Sequence, residues 1–444
     1  MVFRKFFERR AAAEPESAAD RADETVEEEA DSEPESAPPG DDDPEWNESI
    51  DWRARAEAVL PTGSSTGSKR AEALYGRADA SGPSHFVRAA GCRVFDADEH
   101  ELIDCTMALG AVALGYAEAQ VTQAVITAAR AGNVSGLASV HEVEVAERLC
   151  DVVPCAERVH FLKTGAEAMA AAVRIARTYT GRDVVVGCGY FGWLDWSSDA
   201  EGVPAGVRGD YIKVPFDDVA ALEAAVERAG GRLAAIVLEP VIERLPSPEW
   251  VQRARELCDR AGAVLLFDEL KTGFRLRTGG YQEYAGVTPD LAAFGKALAN
   301  GYPLAAVVGK EALMDVVRRS WISSTLASEA VSLAAAHAVL EWHERADICE
   351  ALWNAGRDMR AGVEAAIAAA GVQGVEVVGI DPMWLLRWNE PARETRFLEL
   401  AARAGVLFKR GAYNYASVAH EEDALREIEA VASQAFVDLR DEER

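Results

Sequence analysis

Residues Ala263–Arg275 read AVLLFDELKTGFR, and Ala292–Pro303 read AAFGKALANGYP. The first stretch is an apolar run that ends in two acids, Asp268 and Glu269. Such a run reads as a strand buried on both faces, the kind found in parallel sheets. The second stretch sets a lone lysine, Lys296, among small and apolar residues, 28 positions after Asp268. Further apolar runs at Val159–Leu162, Asp183–Val186, Leu233–Leu238 and Ala305–Val308 read as buried parallel strands. Between them, Glu167–Thr178 (EAMAAAVRIART) and Trp250–Arg260 (WVQRARELCDR) read as helices. This alternation specifies an α/β fold around a largely parallel sheet. After Ser328 the chain becomes alanine-rich helix, then a mixed piece from about Gly371. The expected division is a tail at 1–45, an N-terminal segment at 46–95, a large domain at 96–330 and a smaller domain at 331–444.

Composition narrows the function. Hydrophobic residues make up 49% of the 444 and charged ones 27%, a globular balance. No run approaches the roughly eighteen apolar residues of a membrane-spanning helix, so no membrane partner is expected. A net charge of −28 speaks against phosphate-backbone binding, and no nucleic-acid partner is expected. Half of that charge lies in residues 11–45, where fifteen acids face one base, Arg21. Such a segment cannot bury enough apolar surface to order itself, which predicts a disordered tail. Met1–Arg10 is too short for a signal peptide's apolar region. The seven scattered cysteines form no CxxC pair and read as reduced thiols, so the expected location is the cytoplasm.

Three motif matches fail on context. Asp183–Gly192 (DVVVGCGYFG) contains G-x-G-x-x-G, but a dinucleotide site needs a helix to open there. The residues that follow, Trp193–Ala205 (WLDWSSDAEGVPA), lack helical periodicity. Ala263–Glu269 resembles the magnesium-holding strand of a P-loop ATPase, whose phosphate loop would have to be Gly63–Arg70 (GSSTGSKR). That loop has the wrong glycine spacing, no Gly before Lys69 and no strand ahead of it. The seven histidines show no metal-ligand spacing.

The same pieces agree on another chemistry. Thr164-Gly165-Ala166-Glu167-Ala168 joins a strand to a helix, where backbone N–H groups and the helix dipole hold a phosphate. An acid at a strand end, an isolated loop lysine and an anion-binding helix start meet the needs of pyridoxal phosphate. The lysine forms an imine, the acid keeps the pyridine nitrogen protonated, and the helix start anchors the phosphate.

With these motifs in this order, the chain from about Leu60 to Asp423 resembles a class III, fold-type I aminotransferase, near the glutamate-1-semialdehyde aminomutase branch. The resemblance is carried by CRVFDADEHELIDCTMALGAVALGYA (Cys92–Ala117), ERVHFLKTGAEAMAAAVRIARTYTGRD (Glu157–Asp183), AIVLEPV (Ala235–Val241), LLFDELKTGFR (Leu265–Arg275) and FGKALANGYPLAAVVG (Phe294–Gly309). It implies a large domain with a mainly parallel, seven-stranded-type sheet and a smaller α+β C-terminal domain. It also implies that Lys296 is the Schiff-base lysine and proton carrier and that Asp268 pairs with the pyridine nitrogen. Tyr190 and Leu270 would flank the ring, and Gly165 and Ala166 would give N–H groups to the phosphate. Thr325 would reach the phosphate of the neighbouring subunit, making a homodimer with shared active sites. Glu239 would sit near the site, and Trp193 close to substrate.

Departures from the family pattern sharpen the reading. Ala166 lacks the hydroxyl that relatives often give to phosphate, which leaves Thr164 to compensate. Phe191 stands where YHG-like relatives have His. Lys271 replaces an apolar residue or Gln, and holding a phenolate, holding a substrate carboxylate or pointing to solvent all stay open. Lys69 and Arg70 stand where relatives place a carboxylate-binding arginine. Only Leu194–Arg208 follows Trp193, where aminomutases carry a long glycine-rich gating loop. Without that lid an intermediate would escape, which favours transamination between an amino donor and a keto or aldehyde acceptor. Aminomutase activity is one alternative, and a non-catalytic binding protein on the same fold is another.

Overall fold

Seven apolar segments pair into one sheet: β1 (Arg158–Leu162), β2 (Val184–Cys188), β3 (Tyr211–Lys213), β4 (Leu233–Leu238), β5 (Val264–Asp268), β6 (Leu291–Phe294) and β7 (Ala305–Gly309), in the order β1-β7-β6-β5-β4-β2-β3. The computed structural model describes residues 47–80 and 82–442, so the tail expected at 1–45 lies outside the described residues. All pairings among β2 to β6 are parallel. The Ala305–Val308 strand corrects the sequence reading, because β7 runs antiparallel to both β1 and β6. Its direction was hidden because an apolar run looks the same either way. The deciding feature is the connection: Phe294 and Ala305 are joined by a short 3-10 turn, Lys296–Ala299, which is too little chain for a parallel crossover. The short strand β6 adds to the runs read from the sequence.

Strand alternation splits the core into two layers. Val184, Val186, Leu265 and Phe267 belong to one apolar cluster. Val185, Val264 and Leu266 belong to the other, with Met169, Ala172 and Ile175 of the helix Gly165–Thr180. With a period of two residues, Asp268 continues the row of Val264 and Leu266 toward that helix, and Glu269 turns to the opposite layer.

The remaining elements surround this sheet. Phe86–Ala90, Arg93–Asp96 and Glu101–Asp104 form an antiparallel ladder, and Val406–Leu407 adds to it in parallel. Val375–Ile380, Met383–Trp388 and Asn414–Tyr415 form a second antiparallel sheet. Behind it, Phe397 stacks on Phe436 with ring centroids 4.5 Å apart.

Glu269 fixes the turn that follows β5. Fully buried, it accepts the Tyr281 N–H at 2.8 Å, the Gln282 N–H at 3.0 Å and the Thr272 hydroxyl. Glu269→Ala leaves three buried donors unpaired. Urea unfolding is expected to show a loss of at least about 3 kcal/mol, and a loss below about 1 kcal/mol would remove this role from Glu269.

Candidate active site

Because β1, β2, β4, β5 and β6 point the same way, their carboxyl ends open onto one edge of the sheet, where α/β proteins place their ligands. Five turns leave that edge: Lys163–Ala166, Gly189–Trp193, Glu239, Asp268–Lys271 and Gly295–Lys296. Side-chain packing locks them together. Leu270 lies so close to Gly165 that a Cβ there would come within 2.5 Å of its Cδ1, and its other methyl presses on Gly295. Gly192, at φ +93°, packs on Ala166, where a Cβ would stand 2.5 Å from the alanine methyl.

The helix start is built by a capping box. The Thr164 hydroxyl accepts the Glu167 N–H at 3.2 Å, and Glu167 Oε2 accepts the Thr164 N–H at 2.9 Å. This leaves the N–H groups of Gly165 and Ala166 pointing out of the helix end without intrahelical acceptors. The Thr164 side chain is engaged in the cap, so the backbone of 165 and 166 is what faces an incoming anion.

Four charged side chains share the buried space beside that helix start. Asp268 Oδ1 accepts the Leu270 N–H at 3.0 Å, and Asp268 has no ion-pair partner among the described residues. Burial, and then the negative charge of Glu239, pushes its pKa up to about 7. Lys296 starts the 3-10 turn in the left-handed region at φ +50°, a strained conformation for a non-glycine residue. Burial, and then the positive charge of Lys271, pushes its amine down to about 8. Lys271 pairs with Glu239 Oε1, while Glu239 Oε2 accepts the Tyr190 N–H at 2.9 Å. The Lys271 ammonium does not point to solvent: it sits on Glu239 and 4.4 Å from the centroid of Tyr413.

Several groups here carried no assignment from sequence. Arg275 is buried without an acid partner among the described residues; it donates to the carbonyls of Gly110 at 2.6 Å, Lys271 at 3.2 Å and Ala416 at 3.3 Å. Asn300 accepts the N–H groups of Ala113 and Leu114, both at 2.9 Å, and donates to Gly115. Both clamp the 107–115 loop, in which Met107, Ala108 and Leu109 are consecutive left-handed residues at φ +42°, +50° and +59°. The Asn-Gly dipeptide at Asn300 was a visible turn signal. Tyr413 and Tyr415 were not findable, being remote in sequence and set in an unremarkable stretch.

Other expected side chains are open to solvent or line a different cavity. Tyr190 and Trp193 are each 74% exposed, and Thr325 is exposed in the loop before the helix Ala330–Arg345. Lys69 and Arg70 line a separate cavity of about 1020 Å³ together with Leu109 and Lys409. It is bounded by the strained 107–109 turn, and the Arg70 Nε in its wall is buried without a hydrogen-bond partner. The G-x-G-x-x-G segment makes no nucleotide loop, because its next helix is the four-residue Ala205–Arg208.

Comparison with known proteins gives the class. The family description "Aminotransferase class-III" matches residues 75–188 and 206–419, and the chain belongs to that family. It is 35% identical over 299 residues to 3-aminobutyryl-CoA aminotransferase of Cloacimonas acidaminovorans, covering 65% of this chain and 72% of that one. It is 34% identical over 354 residues to glutamate-1-semialdehyde 2,1-aminomutase of Methanopyrus kandleri, covering 74% and 80%. The fold matches the pyridoxal-phosphate form of FumI from Sphingopyxis sp. MTA144 with a TM-score of 0.83 at 28% identity, covering 88% of this chain and 96% of that one. The protein is therefore a pyridoxal-phosphate-dependent class III aminotransferase. The site fits that cofactor: it offers free helix N–H groups, a buried amine and a buried carboxylate with no ion-pair contact among the described residues.

If Lys296 is the lysine that captures the cofactor, only its neutral amine attacks the aldehyde, and capture by the full-length chain stripped of cofactor should accelerate with rising pH. The rate is expected to level off above about 8 rather than near the ordinary lysine value of 10.5. Stopped-flow absorbance checks this, and a rate still climbing well above pH 9 contradicts it.

Proposed function

We propose that this enzyme carries out net transamination between an amino donor and a keto or aldehyde acceptor, as a homodimer with shared active sites. The observation that carries the reaction type is the segment after Trp193. It is short, and Trp196 anchors it in the core, 5.5 Å from the Phe191 ring and 5.8 Å from that of Tyr211. Phe191 in place of histidine serves this packing. A segment pinned in this way is poorly suited to closing over a half-finished reaction. The family description leaves 189–205 unmatched, which agrees with a local departure there.

Pyridoxal phosphate, when bound, supplies an aldehyde that receives the amino group and a ring that takes up the electrons released from the substrate carbon. In this reading Lys296 Nζ attaches the cofactor and afterwards carries the proton between the two exchanging carbons. Asp268 holds a proton on the ring nitrogen, whose positive charge in turn keeps the carboxylate ionised. Gly165 and Ala166 bind the phosphate through N–H groups, and Leu270 and Tyr190 flank the ring. Lys69 and Arg70 face the large cavity and are suited to an anionic group of the substrate.

The dimer is supported by the surface around Thr325. Trp321 and Leu326 are 87% and 52% exposed, and Leu137 and Val140 are 85% and 70% exposed. Asn133 O accepts the Ala330 N–H at 2.9 Å, which brings these two stretches side by side. Exposed apolar side chains gathered in this way suit an interface, and Thr325 lies between Trp321 and Leu326 in the chain. The seven cysteines are all free, which supports a reducing cytoplasmic location.

Asp268→Asn is expected to retain cofactor while losing at least about 100-fold in turnover; activity within a few-fold of the parent would assign the ring nitrogen to another group. With isotopically labelled amine, label should appear in a second molecule alongside a released keto acid or aldehyde. Label confined to one molecule would establish the aminomutase alternative. Sedimentation should give a dimer, and a fully active monomer contradicts the shared site.

A further inference from the structure

Lys271 carries more than the family reading gives it. The charged groups facing the Lys296 amine come from three directions. Asp268 lies at the end of β5, Glu239 at the end of β4, and Lys271 and Arg275 on the turn after β5. Tyr413 and Tyr415 approach Lys271 from the C-terminal part. Arg275 donates to backbone carbonyls and lies 4.8 Å from the centroid of the Tyr415 ring, with no acid partner among the described residues, so its positive charge is not cancelled by a direct carboxylate. Lys271 cancels Glu239 through their ion pair, in which both side chains are mostly buried. With Asp268 and Glu239 ionised, Lys271 and Arg275 already balance them, and a proton on Lys296 adds one uncompensated positive charge to a buried volume. Remove Lys271 and the same proton brings the cluster to neutrality.

We propose that Lys271 is a positioning residue that sets the charge of this site: it holds Glu239, and through it the Tyr190 backbone, and its positive charge disfavours a second cation at Lys296. Burial opposes the Lys271 charge, but the Glu239 carboxylate outweighs it and keeps the ammonium protonated. The geometry leaves Lys271 little freedom to leave Glu239 for a substrate carboxylate, since its other side is closed by the Tyr413 ring. That ring is itself held, as the Tyr413 hydroxyl oxygen accepts the Glu243 N–H at 2.7 Å.

This inference rests on Lys296 being the cofactor-bearing lysine, and the test separates the two. The pH midpoint of the visible absorbance change of bound pyridoxal phosphate is measured in the full-length, cofactor-loaded enzyme. A nearby positive charge lowers the midpoint for a cationic nitrogen, so Lys271→Gln, which keeps a donor for Glu239 but no charge, should raise it by about one unit or more. Lys271→Arg should stay within about 0.3 units of the parent. Adding Glu239→Gln to Lys271→Gln restores the charge balance and should bring the midpoint back toward the parent value. A midpoint unmoved in Lys271→Gln, or moved equally in Gln and Arg variants, overturns the proposal. If Lys271→Gln does not fold, the Glu239→Gln single variant decides: it should lower the midpoint, and no change overturns the proposal. A Lys296→Ala variant that still binds the cofactor covalently would instead unseat the lysine assignment.

Discussion

Charge balance in a water-poor space governs this active site. Asp268, Glu239, Lys271 and Lys296 are gathered where five turns leave the sheet. Each alone would cost several kcal/mol to bury. Together they are tolerated because Glu239 and Lys271 pair directly, while Asp268 and Lys296 shift toward their neutral forms. In the proposed reading a protonated ring nitrogen beside Asp268 would complete the pairing when the cofactor binds.

The scaffold that holds these groups is made of backbone clamps. Arg275 and Asn300 follow Asp268 and Lys296 closely in sequence, yet both reach across to the 107–115 loop. They spend their hydrogen bonds on main-chain carbonyls and N–H groups, which fixes a loop that sterics would otherwise disfavour. Three consecutive non-glycine residues in the left-handed region cost roughly 1–2 kcal/mol each, and such strain persists where surrounding contacts over-determine it. The strained turn also lines the large cavity that Lys69 and Arg70 face.

Much of this was legible along the chain. The run ending at Asp268, the lone Lys296, and the strand-to-helix step at Thr164–Glu167 identified the cofactor chemistry, because each is a local pattern with a local cause. A buried strand must be apolar on both faces, a helix start must expose N–H groups, and an unaccompanied lysine in an apolar stretch has few structural uses. The α/β class followed from the same periodicities. Where the sequence reading erred, at Ala305–Val308, the error lay in direction, which residue types do not encode.

What only the tertiary structure decided is who meets whom. That Lys271 pairs with Glu239 under Tyr413, that Arg275 grips Gly110, and that Leu270 wedges against Gly165 and Gly295 are contacts between segments far apart in the chain. The placement of Lys69 and Arg70 on a cavity away from the charged cluster belongs here too. Local sequence fixes backbone conformation over a few residues through sterics and hydrogen bonding. The electrostatic surroundings of a side chain depend instead on every segment folded within a few ångströms of it, and those segments are chosen by the packing of the whole sheet.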